Sequence, residues 1–145
     1  MRVLIINPSY PFGGKQVWLN ISAIAVAAQL TALGHIVDIL DLNIEELDGQ
    51  AVKIAEAIGV TIFGAAYIPG VVELITKLQQ MNSQAKLIIG GQTVEGLTAK
   101  QFRLIFGKTT IQGNRNGLAE TIGCKVDEIP TAETVPFIPV WKKMG

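Results

Sequence analysis

Small residues and neutral polar side chains gather in four short segments, each of which follows an apolar run. Missing side chains let a ligand approach the backbone, and amide and hydroxyl groups add hydrogen bonds without charge. Such a set suits a large, mostly neutral ligand rich in amides better than a compact polyanion. The candidate binding residues are Asn7, Pro8, Ser9, Tyr10, Gly64, Ala65, Ala66, Tyr67, Gly90, Gly91, Gln92, Thr93, Gly113 and Asn114.

Several other chemistries lack the residues that they need. His35 and Cys124 are the only histidine and cysteine, which excludes an internal disulfide, a cysteine zinc site and a histidine proton relay. Neither the G-x-G-x-x-G motif of a nicotinamide dinucleotide site nor the G-x-x-x-x-G-K-[ST] motif of a phosphate-binding loop occurs. The sequence therefore predicts no catalytic residue and no protein ligand to a metal, and we expect no activity from this chain alone.

The elements that must position these segments alternate along the chain. Short apolar runs predict strands at residues 3–6, 35–40, 60–63, 85–89 and 109–111, and helices are predicted at 17–33, 49–57, 69–81, 98–106 and 115–122. The pattern predicts a three-layer α/β fold, Rossmann-like or flavodoxin-like, with a doubly wound five-stranded parallel sheet of order 2-1-3-4-5. The four segments are then predicted to meet at the carboxyl edge of that sheet.

Charge and hydropathy limit the possible partners and locations. The 12 basic and 12 acidic residues cancel, so nothing favours a nucleic acid or an anionic membrane. Residues 16–37 and 57–72 are uncharged, but polar residues, glycines and Pro69 interrupt them, so no membrane span is predicted. Because the first apolar run stops at Asn7, too early for a signal peptide, we expect a cytoplasmic protein.

Three stretches resemble the cobalamin-binding domain found at the N-terminus of many radical S-adenosylmethionine enzymes. Residues 1–10 contain its Asn-Pro-Ser-Tyr opening, residues 34–43 begin Gly-His-Ile-Val, and residues 85–91 end in Gly-Gly. The family usually has Gly-x-Gly-Glu after strand five, whereas residues 113–117 read Gly-Asn-Arg-Asn-Gly here. The resemblance implies that cobalamin lies over the carboxyl edge, held by the fourteen candidate residues, with its nucleotide tail between sheet and helices.

The resemblance also bears on the cobalt and its axial ligand. Domains of the methionine-synthase type carry D-x-H-x-x-G after strand one, and its histidine replaces the benzimidazole beneath the metal. Residues 7–14 contain no imidazole, thiol or thioether, and His35 is predicted at the opposite end of the sheet. We therefore expect a base-off cobalamin without a histidine ligand, its lower face covered by Pro8, Ser9 and Tyr10 or by a water.

The resemblance implies a partner as well. Residues 1–129 would form the cobalamin-binding domain, and residues 130–145, with three prolines, would lead as a linker toward a catalytic domain absent from this chain. That domain, in cis or in trans, would bind S-adenosylmethionine and hold a [4Fe–4S] cluster on C-x-x-x-C-x-x-C. The expected role is to position a corrinoid for a methyltransferase or cyclase-type enzyme. Two alternatives stay open: a stand-alone flavodoxin-like interaction or regulatory module that has lost the ligand, and a flavin electron carrier.

Overall fold

A computed structural model describes residues 1–13 and 21–129. The predicted linker at 130–145 and the first residues of the predicted first helix, 17–20, lie outside the described residues. Two 3₁₀ turns cover Ala65–Tyr67 and Val126–Glu128. The strands and helices are β1 Arg2–Asn7, α1 Ile21–Ala32, β2 Ile36–Asp41, α2 Gly49–Ile54, β3 Ala57–Thr61, α3 Ile68–Met81, β4 Lys86–Gly90, α4 Gln92–Glu95, α5 Ala99–Phe106, β5 Thr110–Gln112 and α6 Arg115–Ile122.

The five strands form one sheet in the order β2-β1-β3-β4-β5, and all four pairings are parallel. This confirms the predicted doubly wound α/β fold and its strand order. Helices α2, α3 and α5 pack on one face of the sheet, and α1 and α6 pack on the other, which gives three layers. The carboxyl ends of the strands therefore share one edge, as a parallel sheet requires.

The two faces of the sheet differ in how well side chains fill them. On the α3 face, large residues such as Leu4, Ile6 and Leu78 form the core. On the α1 face, the core contains Val3 and Ile5 but also four alanines, Ala23, Ala27, Ala28 and Ala57. Small side chains on α1 bring its backbone close to the sheet and add little volume. The α1 face is consequently covered by smaller side chains than the α3 face.

One strand differs in position from its prediction. The expected strand at 60–63 is Ala57–Thr61 in the structure, and the preceding helix ends at Ile54 instead of continuing to residue 57. Gly59 stands inside the strand, paired with Ile5 on one side and Ile88 on the other. A glycine by itself does not favour the extended conformation of a strand. Pairing with the two flanking strands stabilises that conformation here. The remaining predicted strands are displaced by only one residue.

Candidate functional site

The segment after β1 is fixed by a side chain from the segment after β2. The side chain of Asn43 is buried, and its Nδ2 donates hydrogen bonds to the Pro8 carbonyl (3.1 Å) and to Asp41 Oδ1 (2.9 Å). Its Oδ1 accepts the Tyr10 backbone N–H at 2.8 Å. Asn43 therefore holds Pro8, Ser9 and Tyr10 in one conformation at the carboxyl edge.

A groove of about 380 Å³ opens on the α3 face beside that segment. Pro8, Ser9 and Tyr10 form one wall, and Tyr67 and Gly70 belong to the other. We call it the α3-side groove. The rings of Tyr10 and Tyr67 meet edge to face with centroids 6.5 Å apart, and burial raises the pKa of Tyr67, with smaller contributions from Tyr10 and Asp41. Its phenol therefore stays neutral at physiological pH.

A second cavity, of about 280 Å³, lies on the α1 face, between the sheet and helices α1 and α6. We call it the α1-side cavity. The central strands β3 and β4 show it toward their carboxyl ends, where residues on the α3 face are fully buried and those on the α1 face are half-buried, whereas Ala57 at the start of β3 is buried on the α1 face. The half-buried residues are Gly59 and Thr61 on β3 and Ile88 and Gly90 on β4. In the middle of a five-stranded sheet, this pattern means that the described residues leave part of one face uncovered.

Gly59, which has no side chain, forms part of the floor of the α1-side cavity. A Cβ placed on Gly59 would stand 3.5 Å from Ile88 Cγ2 and 4.0 Å from Ile5 Cγ1, which are ordinary contacts. The fold could therefore hold a larger residue here, and glycine leaves that volume open. The walls carry Val26 and Leu118 together with the polar Ser22, Gln29, Gln92 and Asn114. Such a cavity can receive a flat, mostly apolar group with a polar edge.

The C-terminal end of the described chain forms another wall of the α1-side cavity. Ile129 is 3% exposed and lines the cavity. Arg115, at the first position of α6, donates from its guanidinium to the Val126 carbonyl (3.0 Å) and to the Ile129 carbonyl (2.9 Å). These two bonds hold the segment 126–129 against the cavity.

Two of the predicted glycines have a structural reason of their own. Gly91 has φ +112°, and a Cβ there would overlap the Ile62 carbonyl oxygen. A Cβ on Gly113 would come within 2.5 Å of Gly90 Cα. These glycines let neighbouring backbone segments touch each other, so the idea that their missing side chains only clear space for a ligand is incomplete.

The structure divides the predicted residues between the two spaces. Pro8, Ser9, Tyr10 and Tyr67 line the α3-side groove, and Gly90, Gly91, Gln92, Gly113 and Asn114 line the α1-side cavity. Asn7, Gly64, Ala65, Ala66 and Thr93 line neither. The sequence predicts that Gly64–Ala66 and Gly90–Gly91 form one space. Instead, residues 65–67 make a 3₁₀ turn that begins α3, and the residues of β3 that line the cavity with Gly90 are its pairing partner Thr61 and Gly59, two residues earlier.

Three residues that contribute to the candidate site were not predicted from the sequence. Gly59 and Ile88 form the floor of the α1-side cavity, and Asn43 holds the segment after β1. A glycine inside an otherwise apolar run was an available signal for Gly59, because strand glycines mark places where another group approaches the backbone. Asn43 gave no such signal, since its partners Pro8 and Tyr10 are more than thirty residues away.

Within the described residues, no group of three or more His, Cys, Asp or Glu could hold a metal ion, and no helix is long and apolar enough to cross a membrane. His35 lies at the amino end of β2, where its Nδ1 is 2.9 Å from the N-terminal amine. In the part of the chain that the structure describes, the groove and the cavity at the carboxyl edge both offer space for a ligand.

Comparison with known proteins identifies the family. The model of the B12 binding domain matches residues 14–109, about two thirds of the chain. This chain belongs to the B12 binding domain family. The match includes β2, β3 and β4, and with them Gly59 and Ile88 of the cavity floor. No curated protein matches the sequence.

Solved structures agree on the fold of this B12 binding domain. Two are of TsrM, a radical S-adenosylmethionine methyltransferase from Kitasatospora setae: one with tryptophan substrate and the S-adenosylmethionine analogue aza-SAM, the other with cobalamin and a [4Fe–4S] cluster. Their TM-scores are 0.65 and 0.64, each at 16% identity over 90% of this chain. The chain spans only 27% and 28% of those proteins.

Proposed function

We propose that this B12 binding domain holds a cobalamin and positions it for a radical S-adenosylmethionine enzyme of the methyltransferase or cyclase type. The observation that carries the proposal is the half-buried face of the central strands at Gly59, Thr61 and Ile88. A buried parallel sheet normally has side chains on both faces. Here the volume between sheet and helices suits the nucleotide tail of a cobalamin whose corrin ring lies over the carboxyl edge.

Different residues of this chain would hold the nucleotide tail and the corrin ring of the cofactor. Gly59, Ile88 and Val26 would contact the tail inside the α1-side cavity. Gln92 and Asn114 lie at the edge and would hydrogen-bond the amides of the corrin ring. The Asn114 side chain already accepts the Gly117 N–H at 2.7 Å as the cap of α6, which leaves its amide N–H₂ to donate.

The segment after β1 would cover the lower face of the cobalt. It offers Pro8, Ser9 and Tyr10, held by Asn43, and none of these is a strong metal ligand. A bound cobalamin would supply a cobalt centre able to carry a methyl group or an electron. With the tail in the cavity, we infer a base-off form without a histidine ligand. Electron paramagnetic resonance of the Co(II) form should show no superhyperfine splitting from an axial nitrogen, in the parent and in His35→Ala alike.

We infer that the partner is a radical S-adenosylmethionine domain, joined to this chain or binding it in trans. The likeness of fold to TsrM supports this idea, since that enzyme contains cobalamin and a [4Fe–4S] cluster in one protein.

Retention of hydroxocobalamin tests the binding proposal. The purified protein is mixed with hydroxocobalamin, desalted, and its absorbance spectrum recorded, with flavin mononucleotide in a parallel sample. We expect corrin absorbance to remain with the protein. A colourless protein would overturn the proposal in favour of a module without ligand, and retained flavin would support an electron carrier.

A matched pair of valine variants locates the tail. Gly59→Val adds carbons to the floor of the α1-side cavity in a strand, where valine is favourable. Gly70→Val adds the same carbons to α3 beside the α3-side groove, where a Cβ meets nothing within 4 Å. Gly59→Val should lower cobalamin affinity at least tenfold, and Gly70→Val should leave it unchanged. Equal binding by both variants, each folded by circular dichroism, would contradict the placement.

A further inference from the structure

Gln29 occupies the deep end of the α1-side cavity. Helix α1 connects the carboxyl end of β1 to the amino end of β2, so it runs from the open edge down the sheet. Ser22 and Gln29 both line the cavity, seven residues apart (29 − 22), which is roughly 10 Å along a helix. Ser22 is therefore near the mouth, and Gln29 is near the bottom.

Gln29 is half-buried, and among residues 1–13 and 21–129 its side chain makes no hydrogen bond. Other side-chain amides of the domain form hydrogen bonds: those of Asn82 and Gln112 donate to backbone carbonyls. No side-chain nitrogen or oxygen without a partner is buried in the described residues, so the polar atoms of Gln29 remain accessible from the cavity that this residue lines. Its position, facing a space whose floor is apolar, points to a polar atom supplied by a ligand.

The groups nearest that end define the kind of ligand. Ile5, Gly59 and Ile88 make an apolar floor, and Val26 and Leu118 stand on the helices above it. A flat aromatic ring fits between such surfaces, and glycine in the middle of the floor lets the ring lie against the strand. The carboxamide of Gln29 can then hydrogen-bond an atom in the plane of the ring.

We propose that Gln29 reads the lower base of the cobamide, with its Nε2 donating a hydrogen bond to the free ring nitrogen of a benzimidazole. This inference rests on the proposed function, and in particular on the base-off form. When the base leaves the cobalt, the nitrogen that would have ligated it regains a lone pair and becomes an acceptor. Gln29 thus selects cobamides whose base carries an in-plane acceptor over those whose base is a phenol.

The proposal is tested by measuring the affinity of the parent protein and of Gln29→Leu for two ligands. The ligands are hydroxocobalamin, which has a benzimidazole, and p-cresolyl cobamide, whose base has no ring nitrogen. Gln29→Leu keeps the approximate volume and removes the donor. We expect it to weaken hydroxocobalamin binding about fivefold to tenfold, the typical net effect of one hydrogen bond, and p-cresolyl cobamide binding less than about twofold. Gln29→Glu, which replaces the donor by an acceptor, should weaken hydroxocobalamin at least as much.

Gln92→Leu is the matched control, because it makes the same change at the mouth of the same cavity. Any effect it has should be equal on the two ligands, since both share the corrin ring. If the parent protein binds neither ligand, the proposed function fails. If the parent binds both, and Gln29→Leu weakens both equally or neither, the inference about Gln29 is overturned while the proposed function stands.

Discussion

Replacing Asn43 by alanine tests whether one side chain fixes the segment that would lie beneath the cobalt. The alanine variant loses three hydrogen bonds, which are those to Pro8 (3.1 Å), Asp41 (2.9 Å) and Tyr10 (2.8 Å). The backbone N–H of residue 43, which donates to Asp41 Oδ1 at 2.9 Å, is retained. The change is therefore confined to the link between the segments after β1 and β2.

The size of the effect follows from burial. Each of the three bonds contributes about 1 kcal/mol net, and the buried Pro8 carbonyl and the Tyr10 N–H lose the partner that compensated their desolvation. We expect Asn43→Ala to lower the free energy of unfolding by about 2–4 kcal/mol. For a chain of this size that corresponds to roughly 10 °C in melting temperature. Urea denaturation followed by circular dichroism measures it.

Asn82 provides a matched control at the opposite edge of the sheet. Its Nδ2 donates to the carbonyls of Val52 (2.8 Å) and Ala55 (2.9 Å), at the amino end of β3. Asn82→Ala should cost a similar amount of stability and leave hydroxocobalamin affinity unchanged, whereas Asn43→Ala should also weaken binding at least about fivefold, the net effect of one hydrogen bond. A loss of stability below about 0.5 kcal/mol in Asn43→Ala, or an equal loss of affinity in both variants, would refute this reasoning.

Two further predictions concern the backbone and pH. Gly91→Ala should destabilise the fold by about 2 kcal/mol more than Gly107→Ala, because both positions have positive φ but only at Gly91 would the new Cβ overlap the Ile62 carbonyl; equal melting temperatures would contradict the close approach. Burial, and then the N-terminal ammonium, lowers the pKa of His35, with Glu56 opposing. The folded protein therefore binds fewer protons at this ring than the unfolded chain, so stability should decline as pH falls through the ordinary histidine pKa of about 6.5 and below. Urea midpoints between pH 8 and 5 should fall less in His35→Gln than in the parent.

The sequence by itself determined the fold class, because the information for it is local. Runs such as Val3–Ile6 are apolar without alternation, which is what a strand buried on both faces requires. Thr98 and Gln101 form a capping box that begins α5, and Gly123, with φ +74°, ends α6. Five strand–helix units with right-handed crossovers leave few topologies, and the predicted order 2-1-3-4-5 is confirmed.

The tertiary structure decided where the ligand space lies and why particular glycines are present. A glycine has a low strand propensity, so the prediction from sequence began β3 at residue 60, three residues too late. In the folded sheet, pairing with Ile5 and Ile88 stabilises the strand at Gly59. Likewise, the sequence alone indicates only a turn at Gly91, and the folded structure brings the Ile62 backbone against it. These contacts join strands distant in the chain, so their energies depend on the completed sheet and no single segment encodes them.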